Sequence, residues 1–74
     1  INVRVKEKPP LENIPAIKTV VKRAEDVLKG KGRIVLRYSG TEPVARVMVE
    51  GTDANLVEKL AADIAEEVEK SIGD

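Results

Sequence analysis

Apolar residues along this 74-residue chain recur with two different periods, and the switches between them mark the elements. Ile1, Val3 and Val5 alternate with Asn2, Arg4 and Lys6, which predicts a half-buried strand over residues 1–6. Lys8-Pro9-Pro10 cannot continue a ladder, because neither proline has an N–H to donate. Leu11 to Asn13 then leads into a helix with Pro15 in its first turn, where the missing N–H costs nothing. Ile17, Val20, Val21, Ala24, Val27 and Leu28 share one face of that helix. Lys22–Asp26 and Glu25–Lys29 have i,i+4 spacing on the other side, worth about 0.2–0.5 kcal/mol each. Gly30 is the expected left-handed stop.

The period then returns to two. Arg33 to Tyr38 predicts a second strand with Ile34, Leu36 and Tyr38 on one face. Ser39 to Pro43 has turn composition. Val44 to Glu50 predicts a third strand, with Ala45, Val47 and Val49 opposite Arg46, Met48 and Glu50. Gly51 and Thr52 break it, and Asp53 is a good N-cap for a last helix, with Asn55 and Glu58 offering a competing capping box. Leu56, Leu60, Ala61, Ile64, Val68 and Ile72 form the buried stripe of that helix. The predicted architecture is a single α+β domain over residues 1–74. It has two layers in the order β-α-β-β-α, with both helices on one face of a small, largely antiparallel sheet.

Parity places the charges. If Leu36 and Val47 face the helices opposite each other, paired positions sum to 83, and Arg37 lies opposite Arg46 on the outer face. Like charges directly opposite one another destabilise a sheet pair, so this pair makes sense around an anion. The loop between them carries the hydroxyls of Ser39 and Thr41, and Gly40 lets a ligand approach the backbone. Successive N–H groups in such a turn can form an anion nest, and the planar arginine fork suits phosphate. The pattern alone leaves a second reading open: a hairpin whose arginines pair with Glu42 and Glu50 on the surface.

Composition narrows the function class. The chain has no Cys and no His, which excludes a disulfide scaffold, a Cys/His zinc site and a His-based triad. Thirteen Lys and Arg balance thirteen Asp and Glu, and Tyr38 is the sole aromatic. A neutral chain without a stacking platform makes a poor nucleic-acid binder, and no apolar run is long enough to span a bilayer. There is no signal-peptide pattern. The first residue is Ile rather than Met, so the expectation is a piece of a longer cytoplasmic protein, folding on its own as a monomer.

The string Arg37-x-Ser39-Gly40-Thr41-Glu42-Pro43-x-x-Arg46-Val47-Met48-Val49-Glu50, preceded by Gly32-Arg33-Ile34-Val35-Leu36, resembles the C-terminal domain of the α-D-phosphohexomutase superfamily. Gly40 and Arg46-Val47-Met48 favour the bacterial phosphoglucosamine mutase branch. Phosphomannomutases and phosphoglucomutases, the alternative branches, usually carry Asn in place of Gly40. The resemblance covers nearly the whole chain, from Lys8-Pro9 through the last helix. It implies a TATA-box-binding-protein-like fold, the fourth domain of a four-domain enzyme. The implied ligands of a sugar phosphate are Arg37, Ser39, Gly40 through its backbone, Thr41 and Arg46. The implied substrates are glucosamine 6-phosphate, glucosamine 1-phosphate and the bisphosphate. Mg²⁺ and a phosphoserine are implied for the other domains, with no cofactor and no catalytic residue in this segment. The implied partners are the sugar phosphate and the rest of the parent chain, with no nucleic acid and no membrane.

Other features have plainer readings. Glu66, Glu67 and Glu69 suit a solvated helix face, with Glu66–Lys70 as an i,i+4 pair, better than a metal site. Gly30-Lys31-Gly32-Arg33 lacks the spacing of a P-loop and suits the end of a helix and the start of a strand. Met48 is expected to pack against a neighbouring domain, and Arg4 and Lys6 extend the positive character of the outer face. The contrasting function class is a stand-alone α/β adaptor or nucleic-acid module, recognisable by salt-dependent RNA binding spread over the sheet.

Overall fold

The computed structural model describes residues 1–73. Its elements are β1 (Asn2–Arg4), a 3-10 turn (Leu11–Asn13), α1 (Pro15–Leu28), β2 (Gly32–Tyr38), β3 (Val44–Gly51) and α2 (Ala54–Ile72). The three strands form one antiparallel sheet in the order β1-β3-β2, so β3 is central. Both helices cover one face, as the α+β pattern predicts. Among the described residues no helix is long and apolar enough to cross a membrane.

The hairpin register is the one parity gives, with Leu36 opposite Val47 and Arg37 opposite Arg46. Ala45 and Val47 are buried beneath the helices with Ile17, Ile64 and Val68. Burying each of the larger side chains contributes about 1.5–3 kcal/mol. Asp53 caps α2 by accepting from the Leu56 N–H at 3.1 Å, and the competing Asn55–Glu58 box is not used. Pro15 stands at the start of α1, where its lack of an N–H is harmless.

Four expectations need correction. The first strand ends at Arg4 rather than Lys6. Its neighbour β3 begins only at Val44, after Pro43, so the Val5 N–H meets the Pro43 carbonyl (2.9 Å) and the Lys6 N–H turns to the Ile72 carbonyl at the end of α2 (2.8 Å). Val27, placed on the apolar face of α1, is 43% exposed, while Leu28 beside it is buried. The left-handed stop of α1 begins at Lys29 (φ 51°) and continues through Gly30 (φ 77°). That turn is closed by the Lys31 N–H donating to the Leu28 carbonyl (2.9 Å), a hairpin-type geometry needing positive φ at both central residues. Finally, among the described residues the i,i+4 ion pairs are Lys59–Asp63 and Glu66–Lys70, and none joins Lys22 to Asp26 or Glu25 to Lys29.

Candidate functional site

The uncovered face of the sheet presents Arg33, Val35 and Arg37 from β2 and Val44, Arg46, Met48 and Glu50 from β3. Asn2 and Arg4 of β1 share it, facing Arg46 and Val44. Alternation puts these residues there, since the intervening positions are the core. Glu50 is committed to Arg33: Nε and one terminal nitrogen of the guanidinium donate to its two carboxylate oxygens at 3.1 and 3.3 Å. Arg37 and Arg46 stand side by side on adjacent strands, exposed, and neither Glu42 nor Glu50 pairs with them. The alternative of a hairpin neutralised by its own carboxylates does not form.

The loop beyond them is organised by Ser39. Its N–H donates to the Val44 carbonyl (2.8 Å), extending the ladder by one rung. Its hydroxyl oxygen accepts from the N–H groups of Thr41 (3.4 Å) and Glu42 (3.3 Å), a local turn of the kind serine favours. Ser39 is buried, whereas Gly40 and Thr41 are exposed. The Gly40 N–H has no acceptor among the described residues. A Cβ built on Gly40 would meet nothing within 4 Å, so the space in front of that backbone is open. The five residues singled out in the sequence therefore lie together at one end of the hairpin. Ser39 faces into the loop, and Arg37, Gly40, Thr41 and Arg46 face out.

One neighbour escaped the sequence reading. Lys8 lies 31 residues upstream, and its Nζ donates to the Ser39 carbonyl at 2.7 Å. The Tyr38 hydroxyl donates to the Pro9 carbonyl. The phenol is held above its ordinary pKa of 10.0, first by burial and then by the charges of Glu12 and Glu7, so it remains a donor through neutral pH. With the Val5–Pro43 bond, these contacts lay the segment 5–9 along the base of the loop. No local pattern marks Lys8 as a neighbour of Ser39. Its position beside Pro9-Pro10, which forces the chain away from the sheet, was the only hint.

The site is a wall and not a pocket. A groove of about 630 Å³ lined by Leu11, Ile17, Val21, Ile34 and Leu36 lies against α1 on the other side of the sheet and shares no residue with the loop. Cationic and amide donors on an open surface suit an anion gripped from one side, with the remaining contacts supplied by another body.

The chain is similar to known proteins over nearly its whole length. Residues 1–67 match the family described as phosphoglucomutase/phosphomannomutase, C-terminal domain. The chain is 53% identical over 72 residues to the phosphoglucosamine mutase of Solidesulfovibrio magneticus, covering 97% of this chain and 16% of that protein. It is 51% identical over 73 residues to that of Chlamydia trachomatis serovar L2, covering 99% and 16%. For the Solibacter usitatus protein of the same name the identity is 45% over 74 residues, covering 100% and 17%. The chain thus spans about a sixth of the length of the curated relatives it matches. It belongs to the phosphoglucomutase/phosphomannomutase C-terminal domain family.

Proposed function

We propose that, as a member of that family, this chain is the sugar-phosphate-binding domain of a phosphoglucosamine mutase. Its parent would be a cytoplasmic isomerase interconverting glucosamine 6-phosphate and glucosamine 1-phosphate through the bisphosphate. The observation that carries the reading is the facing Arg37–Arg46 pair, without a carboxylate partner among the described residues and beside a loop whose Gly40 amide has no acceptor there. In this reading the two guanidinium groups grip the phosphate that is not being transferred. The Gly40 N–H and the Thr41 hydroxyl complete the cradle. Ser39 holds the loop shape with its oxygen and keeps its own hydroxyl proton to donate. Mg²⁺ and the phosphoserine belong to other domains of the parent, because the donors here are cations and amides and suit an anion.

Such a clamp accelerates phosphoryl transfer by positioning. Holding the non-reacting phosphate orients the reacting one and lets remote binding energy act at the distant centre. The chain by itself supplies binding without turnover. Contacted from one side only, a hexose phosphate stays largely solvated, and its Kd is about millimolar or weaker.

The test is an amide NMR titration of the 74-residue chain with glucosamine 6-phosphate and with inorganic phosphate. Arg37→Ala and Arg46→Ala each lose about 1.5–3 kcal/mol of binding, the range for a charge-assisted hydrogen bond. Shifts at residues 39–41 that are unchanged in both variants would overturn the site.

A further inference from the structure

We propose that Lys8 is a positioning residue of the anion site, acting through the Ser39 carbonyl to orient and polarise the Gly40 N–H. The inference rests on the reading of the loop as a phosphate clamp and extends it to a residue outside the loop.

The argument starts from the ladder. Ser39 and Val44 form the last rung of the hairpin, and regular pairing would have the Val44 N–H donate back to the Ser39 carbonyl. It does not, because that N–H donates to the Glu42 carbonyl at 2.8 Å, closing a tight turn around Pro43. The carbonyl of a buried residue is thereby left needing a donor. Lys8 Nζ supplies it at 2.7 Å, the short distance of a charge-assisted bond.

That carbonyl belongs to the same peptide unit as the Gly40 N–H. The chain has no cis peptide among the described residues, so the C=O and N–H of this planar unit point in opposite directions. Fixing the carbonyl on Lys8 therefore turns the Gly40 N–H away from Lys8, and that N–H has no acceptor among the described residues. A cation on the oxygen also draws charge from the nitrogen side, and hydrogen bonds in such a chain strengthen one another. Lys8 is itself placed by the Tyr38–Pro9 and Val5–Pro43 bonds on either side, so its reach is set by the fold. Its ammonium acts on the anion through the peptide, and direct contact with phosphate is not required.

The experiment is an amide NMR titration of the 74-residue chain with inorganic phosphate, comparing wild type, Lys8→Met, Lys8→Arg and Lys6→Met. Lys6 has the same charge two residues away, and its side chain bonds to nothing among the described residues, so Lys6→Met controls for net charge. Lys8→Met is expected to weaken phosphate binding about three- to tenfold, the value of one net hydrogen bond. It should also move the Gly40 amide resonance before any phosphate is added, with the melting transition preserved. Lys8→Arg should restore most of both, and Lys6→Met should change neither beyond the small effect of one surface charge. Wild-type affinity and an unmoved Gly40 resonance in Lys8→Met would overturn the role of Lys8 while leaving the clamp intact. Equal weakening in Lys6→Met would also overturn it, by showing a field effect alone. No phosphate response at residues 39–41 in wild type would overturn the clamp itself and this inference with it.

Discussion

The two ends of the β2–β3 hairpin carry the same kind of rung on the same outer face, with opposite electrostatics. At the open end Arg33 faces Glu50, and the guanidinium donates twice to the carboxylate. Both side chains are more than half exposed, so this pair stabilises the hairpin by at most about 1 kcal/mol. At the loop end Arg37 faces Arg46, an arrangement that costs a similar amount where opposite charges would have helped. A sheet surface shaped only by stability would place a carboxylate at one of these positions, as it does four residues away. In the proposed reading the open end serves the fold and the loop end serves a ligand. The glycines divide the same way. Gly32, beyond the Arg33–Glu50 rung, lies so close to β3 that a Cβ would sit 2.1 Å from the Glu50 carbonyl oxygen, whereas Gly40 faces open space.

Making the two ends alike should break the site. Arg46→Glu would turn the loop-end rung into a copy of Arg33–Glu50. The expected loss of phosphate binding is about 3 kcal/mol or more, since a charge-assisted donor is replaced by a like charge beside the anion. Over the same change the fold should gain up to about 1 kcal/mol in a denaturant melt. Retained binding, or a destabilised hairpin, would show that the arginine pair has no cost to relieve and no anion to hold.

The glycines give the next largest effect. Gly32→Ala should destabilise the domain by about 1–3 kcal/mol, because the new methyl meets backbone that can only move by opening the strand pair. Gly40→Ala should leave stability unchanged or raise it by up to about 1 kcal/mol, through a less flexible unfolded chain. Thermal melts of the two variants side by side measure the difference, and equal losses would erase the distinction between the ends.

The smallest effect sharpens the loop end alone. Tyr38 has its pKa raised above 10.0, chiefly by burial, so the folded state favours the neutral phenol. A folded pKa above the unfolded one means this stabilisation is fully present below pH 10.0 and is lost as pH rises through the folded value. Tyr38 is the sole aromatic, so its phenolate can be followed by near-ultraviolet absorbance without interference. Ionisation removes the proton given to Pro9, so the segment bearing Lys8 should loosen in the same alkaline range. A phenol that titrates at the same pH in the native chain and in concentrated urea would show that Tyr38 does not hold its half-buried position beside Glu12 and Glu7.

Much of this was decided locally and could be read from residue order. Alternation fixed the buried faces of β2 and β3, because successive side chains of a strand must point to opposite sides. A constant positional sum then placed Arg37 opposite Arg46, and the same sum of 83 places Arg33 opposite Glu50. That second pair follows from the same arithmetic, and it takes the Glu50 that the surface-pairing alternative would give to Arg37 or Arg46. Asp53 could be read as a cap because capping involves only the next three residues. The tertiary structure alone decided the rest. It laid β1 against β3 and made β3 central. It ended β1 at Arg4, because pairing needs a partner strand and β3 starts only after Pro43. It also brought Lys8 to the Ser39 carbonyl across 31 residues, a contact with no periodicity to announce it. Periodic burial leaves a repeating trace in the sequence because every turn or pleat obeys the same geometry. A single polar contact between distant segments leaves none, since it depends on where the whole chain has folded.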